Sequence, residues 1–186
     1  MRVISGVCKG RRLFSLKGLA LRPTSDRVKE AIFDRLQDRV QGRRILDLFA
    51  GTGALGIEAL SRGANFTVFV EAHGASRAVI QKNLTLCGFR DRAEILPLDV
   101  AGAIQLLERR QEIFDLIFLD PPYNQGYAVR VLKTLAKSHL LAPQGLIIAE
   151  HSAEEPLDQF SAFFSMDQRQ YGRTRVSFFH RPEKDL

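Results

Sequence analysis

Ile45-Leu46-Asp47-Leu48-Phe49-Ala50-Gly51-Thr52-Gly53-Ala54-Leu55-Gly56 is the stretch that decides the fold. It reads as an apolar strand, a glycine-rich turn and the start of a helix. Gly51, Gly53 and Gly56 satisfy G-x-G-x-x-G. Glycines at this spacing let the backbone turn tightly and approach a ligand without a Cβ in the way. The pattern alone is shared with nicotinamide and flavin enzymes. Asp47 narrows it, because a carboxylate just before the turn attracts a cation and repels the pyrophosphate of a dinucleotide.

Working outward, the chain alternates strand and helix from residue 43 onward. Strands are predicted over 44–49, 66–71, 94–98, 114–119 and 145–150, and helices over 54–62, 74–87, 100–110 and 126–139. Strands that read as apolar runs separated by helices imply a parallel sheet covered on both faces. Phe163-Phe164 and Thr174-Arg175-Val176-Ser177-Phe178-Phe179 suggest two last strands joined around Tyr171-Gly172. A closing hairpin on a parallel sheet fits the methyltransferase variant of the doubly wound fold, and others too.

Acids stand at three successive strand ends. Asp47 precedes the glycine turn, Glu71 ends the second strand and Asp99 ends the third. Ligands of open α/β sheets bind at those ends. Glu71 can accept from both hydroxyls of a ribose and Asp99 from an adenine amino group, although Asp99 also stands where the next helix would take an N-cap. S-adenosylmethionine, with an ammonium and a sulfonium, suits this set together with Gly51 and Gly53.

The second anchor is Phe114-Asp115-Leu116-Ile117-Phe118-Leu119-Asp120-Pro121-Pro122-Tyr123. Two prolines fix φ twice and remove two N–H groups. The Asp120 carboxylate and Pro121 carbonyl are then rigid acceptors, and Tyr123 offers a flat π surface to a base. An exocyclic amine is a poor nucleophile because its lone pair is delocalised into the ring. Acceptors on its hydrogens stabilise the charge that develops during methyl transfer.

Charge is unevenly spread. The 186 residues carry +6 overall, yet residues 1–45 hold twelve Lys/Arg against four Asp/Glu, a balance of +8, and the remainder sums to −2. A basic front end on a near-neutral body suggests a polyanion-contacting surface. Its candidate residues are Arg2, Lys9, Arg11, Arg12, Arg22 and Arg27, around a predicted strand pair (Arg2–Ser5 and Arg12–Phe14, turning near Gly10) and a helix start. The helix opens at Pro23-Thr24-Ser25-Asp26, with Val28, Ile32, Leu36 and Val40 as its apolar stripe. Lys29 lies mostly off that stripe. Cys8 and Cys87 form no C-x-x-C pair, which favours reduced thiols in a cytosolic protein. The four histidines match no ligand spacing, so no metal is assigned. There is neither a membrane-length apolar run nor a secretory h-region.

Together these residues resemble the RsmD family of bacterial 16S rRNA guanine-N2 methyltransferases, over nearly the whole chain. The resemblance rests on Arg22-Pro23-Thr24-Ser25-Asp26-Arg27-Val28-Lys29-Glu30-Ala31-Ile32-Phe33, on Asp47 to Gly56 with Glu58-Ala59-Leu60-Ser61-Arg62-Gly63-Ala64, on Asp120 to Tyr123 and on Tyr171-Gly172-Arg173-Thr174. It implies a class I, Rossmann-like fold with a mostly parallel seven-stranded sheet, a C-terminal antiparallel hairpin, and an N-terminal β-hairpin and helix. It implies S-adenosylmethionine as methyl donor and guanine 966 of the small-subunit RNA as target, presented in an assembled or partly assembled subunit. We expect one domain over 1–186, of which 1–42 is the basic extension, and a cytoplasmic monomer. The nearest rival is an N6-adenine methyltransferase, which shares both motifs but usually needs extra sequence to read and flip a base. A small-molecule methyltransferase leaves the basic front end unexplained. An intact Asp120-Pro121-Pro122-Tyr123 argues against a noncatalytic RNA-binding module, and copurified NAD would replace the methyltransferase reading with a nicotinamide enzyme.

Overall fold

In a computed structural model that describes residues 1–16, 26–157, 160 and 165–180, each predicted strand–helix alternation is present. The strands are β1 (Arg44–Asp47), β2 (Phe66–Val70), β3 (Ala93–Leu96), β4 (Phe114–Leu119), β5 (Leu141–Ser152), β6 (Ser165–Tyr171) and β7 (Thr174–His180). The helices are α1 (Asp26–Leu36), α2 (Ala54–Ser61), α3 (Gly74–Cys87), α4 (Val100–Arg109) and α5 (Tyr127–Lys137). One sheet forms in the order β3-β2-β1-β4-β5-β7-β6. β1 to β5 run parallel, while β7 lies antiparallel between β5 and β6. This is the class I S-adenosylmethionine-dependent methyltransferase fold.

The strand residues divide by parity. Ile45, Phe69, Leu116, Phe118 and Ile148 point into one core with α1, α2 and α3. Leu46, Val68, Val70, Ile117 and Ile147 point into the other with α4 and α5. Burial on both faces is why these strands read as apolar runs rather than alternating ones. Strand order reverses between β1 and β4, which puts a crevice at their carboxyl ends. Open α/β folds bind ligands at such a switch point.

Of the boundaries that differ, three have clear local reasons. β3 stops at Leu96 because Pro97 has no N–H to give the ladder. β5 begins at Leu141, which pairs with Phe114 ahead of a register shift, before the regular pairing from Leu146. The expected amino-terminal strand pair shrinks to one antiparallel bridge, Arg2 with Arg12. Beyond it the N–H groups of Ile4 and Ser5 donate instead to the Glu58 carboxylate, at 2.8 and 3.0 Å. Gly6 then takes φ +80° so close to α2 that a Cβ would lie 1.8 Å from the Ser61 carbonyl oxygen. Arg22, Pro23, Thr24, Ser25, Phe163 and Phe164 lie outside the described residues.

Candidate active site

The glycine turn joins β1 to α2. Gly53 has φ +82° and caps α2. Gly56 has a different purpose: a Cβ there would meet the Phe69 ring at 2.3 Å, so its absence lets α2 pack down on β2. Asp47 is buried beneath the turn. Its Oδ2 accepts the Gly56 N–H at 3.1 Å, while Oδ1 is buried with no hydrogen-bond partner. Burial, with the nearby Glu71 charge adding to it, pushes the Asp47 carboxyl up to about 7 against the pull of the Gly56 N–H. A buried carboxylate with an unmet oxygen is the acceptor an ammonium would satisfy.

Glu71 follows β2 directly. It ties the turn together, Oε2 accepting from Gly51 N–H at 2.9 Å and Oε1 from His73 N–H at 2.7 Å. A carboxylate has about four acceptor positions, so two bonds leave room for ribose hydroxyls. Asp99 is not at a strand end. It caps α4, its Oδ1 accepting the Gly102 N–H at 2.7 Å, and it is exposed. The structure therefore gives Asp99 the capping role that the sequence left open, with acceptor capacity to spare.

Asp120, Pro121, Pro122 and Tyr123 follow β4, the strand beside β1. The parallel register sets Asp47 opposite Phe118, so this loop and the glycine turn leave the sheet from the same edge. The loop is held from behind. The Tyr123 hydroxyl donates to Glu150 Oε1 at 2.6 Å and lies 3.2 Å from Thr174 Oγ1. Burial, and then the Glu150 charge, push the phenol well above its ordinary range, so it stays protonated and donates. Farther along, the Glu155 carboxylate accepts from Asn124 and Gly126 N–H, at 3.3 and 3.1 Å. His151 fixes that corner: Nδ1 sits 2.9 Å from two carbonyls, Ser152 and Glu155, and Nε2 2.8 Å from Ser177 Oγ. Two carbonyls require the proton on Nδ1, and burial pushes the imidazole below its ordinary pKa.

The basic arm is exposed at Arg2, Lys9, Arg11, Arg12 and Arg27. It is fastened by an ion pair at full burial, Lys29 Nζ to Glu58 Oε2 at 3.3 Å, with Arg62 Nε on Glu58 Oε1 at 2.9 Å. Lys29 Nζ also donates to the Arg2 carbonyl. Sequence reasoning missed Lys29, Glu58, Asn83, Glu150, Glu155 and Thr174. Glu150 carried a visible signal, as a fifth acid at a predicted strand end after Asp47, Glu71, Asp99 and Asp120. Among the described residues, no group of three or more His, Cys, Asp or Glu could hold a metal ion.

The family model described as conserved hypothetical protein 95 matches residues 1–180. The chain is 37% identical to ribosomal RNA small subunit methyltransferase D of Haemophilus influenzae over 160 residues, 84% of this chain and 81% of that protein. The chain belongs to the RsmD family. The Escherichia coli ribosomal RNA small subunit methyltransferase D is 32% identical over 166 residues, covering 89% of this chain and 82% of its own. The solved structure of yhhF from Escherichia coli superposes with a TM-score of 0.86 at 30% identity, covering 99% of each chain. In this chain Asp47 ends β1 and Asp120 directly follows the neighbouring β4, so both anchors stand at the switch point.

Proposed function

We propose that this chain transfers a methyl group from S-adenosylmethionine to the exocyclic N2 amine of a guanine in 16S rRNA of the small ribosomal subunit, at guanine 966. The observation that carries the chemistry is the rigid acceptor loop Asp120–Tyr123 leaving the sheet beside the glycine turn. The RNA substrate and the guanine rest on the family and on the names of its members.

S-adenosylmethionine supplies an electrophilic methyl on a sulfonium. The chain's own groups do the rest. Asp47 takes up the ammonium end, Gly51 and Gly53 leave room for close approach, Glu71 accepts from the ribose, and Asp99 lies on the adenine side. Bound there, S-adenosylmethionine would give its methyl to the N2 lone pair and leave as the neutral thioether, and the proton shed by nitrogen would pass to water. The Asp120 carboxylate and Pro121 carbonyl accept the N–H groups of that nitrogen as its positive charge grows. Tyr123 stacks on the base, its ring angle set by Glu150 and Thr174. Arg2, Lys9, Arg11, Arg12, Arg22 and Arg27 face phosphates of RNA in an assembled or partly assembled subunit, and the chain acts as a one-domain cytoplasmic monomer.

The test is transfer of tritiated methyl to small subunits lacking the modification, followed by nucleoside mass analysis. N2-methylguanosine is expected. N6-methyladenosine would replace this reading with the adenine one, and no incorporation into RNA would reject both.

A further inference from the structure

Phe14 is 52% exposed, yet its backbone is locked. Its N–H donates to Asn83 Oδ1 at 2.7 Å and its carbonyl accepts from Asn83 Nδ2 at 3.1 Å. Asn83 is fully buried, and the same amide nitrogen donates to the Thr52 carbonyl of the glycine turn at 3.0 Å. A buried side chain thus spends its hydrogen bonds on holding an exposed aromatic in place. Beside Phe14 runs the outer face of α3, where Ala78, Gln81, Lys82 and Thr85 fall at helical spacing and are exposed.

Between them lies an open groove of about 510 Å³, lined by Phe14, Gln81, Lys82, Thr85, Leu86 and Arg90 among others. Among the described residues no carboxylate lines it, and neither Lys82 nor Arg90 takes part in an ion pair. The Arg11 guanidinium sits at its rim on the Leu86 carbonyl.

We infer that this groove binds a single-stranded nucleotide of the substrate RNA that is distinct from the reacting base. The inference rests on the reading that RNA is the substrate. A fixed ring stacks on any base, because every base has a π face. Unpaired cations suit the flanking phosphates. Gln81 and Thr85 can meet a base edge or a 2′-hydroxyl. An apolar peptide would fit the ring but gain nothing from the cations. The groove adjoins the basic arm, and Asn83 joins it to the cofactor turn, so the strand it holds runs past the crevice without entering it.

The chain has no tryptophan, so Phe14→Trp introduces a single indole at the platform, excited selectively over the three tyrosines. Titrating that variant with a ten-nucleotide single-stranded oligouridylate should quench its emission saturably. Adding Lys82→Ala and Arg90→Ala should weaken the quenching curve and reduce the log–log salt slope by about 1.4, at roughly 0.7 per phosphate. Phe14→Ala, which keeps both backbone bonds to Asn83, should weaken binding of a fluorescein-labelled oligouridylate about five- to a hundredfold. On unmodified small subunits it should raise KM while cofactor affinity and the rate at saturation hold. Labelled RNA that binds while the indole emission stays unchanged would overturn the groove and leave the RNA reading standing, as would an unaltered KM in Phe14→Ala. Failure of the unsubstituted protein to methylate subunits would instead strike the RNA reading itself, and the groove with it.

Discussion

Asp47→Asn should make the ligand-free protein relatively more stable as pH rises, while weakening its hold on the cofactor. The wild-type carboxyl is fully buried and raised from 3.8 to about 7. A group raised in the folded state binds more protons there than in the unfolded chain. Its contribution is therefore fully present below the unfolded value and is lost as pH climbs through the folded one. With those two values, the wild type loses roughly 2.5 kcal/mol between pH 5 and pH 8 that the uncharged variant does not lose. All other titrations are common to both proteins and cancel in the difference. For a urea slope of about 2–3 kcal/mol/M, the gap between the two midpoints should move by roughly 1 M across that range. Urea melts of both proteins at pH 5, 6, 7 and 8 measure it, with calorimetric cofactor titration alongside. Wild-type affinity should rise with pH up to about 7 and level off, because the ammonium needs the charged form, and the variant should show no such limb. A midpoint difference that is constant with pH would refute the buried-charge argument. Unchanged affinity in a folded variant would refute the ammonium role.

Tyr123→Phe removes the donor from the buried Glu150 carboxylate, a charge-assisted bond of about 1.5–3 kcal/mol, so both thermal midpoint and single-turnover rate should fall. Glu150→Gln keeps an acceptor for the phenol and should fall less; a Tyr123→Phe enzyme that melts and turns over like wild type would show that the ring needs no anchor. Glu71→Ala frees the Gly51 N–H and removes the ribose acceptor, and calorimetry should show cofactor binding weaker by about 1–3 kcal/mol. Lys29→Met breaks the buried pair with Glu58, but Arg62 remains on that carboxylate, so urea denaturation should show a loss near the low end of roughly 3–5 kcal/mol; undiminished stability would make the pair dispensable.

What the sequence made legible was local. Gly51, Gly53 and Gly56 after an apolar strand, and two prolines after another, are short-range patterns whose physics is complete within a dozen residues. The parallel sheet followed because apolar runs alternating with helices leave few alternatives, whereas its strand order came from the structure. What stayed hidden depends on partners far along the chain. The sequence sets Lys29 off its helix's apolar stripe, whereas the structure buries it on the inward face of α1 with Val28, Ile32, Phe33 and Leu36, where Glu58, 29 positions on, meets its charge. The strand at residues 2–5 has β-forming side chains, but the Ile4 and Ser5 N–H groups find Glu58 before they find a ladder. On sequence alone Asp99 reads as a cap or a ligand acceptor; the Gly102 N–H shows the cap, which occupies one oxygen and leaves the other to accept. Tyr123 read as a ring for stacking. That its hydroxyl anchors to Glu150 and Thr174, from strands not yet made when residue 123 is read, changes what Tyr123→Phe should do.

The account turns on Asp120 meeting the amine as charge develops there, and single-turnover methylation of unmodified small subunits by Asp120→Ala measures this most directly, with cofactor affinity titrated separately. Removing a contact that strengthens in the transition state should lower the rate by about 10²–10³ while cofactor affinity stays near wild type. Asp120→Asn, whose amide oxygen still accepts, should fall less. A near-native single-turnover rate in Asp120→Ala would contradict the mechanism.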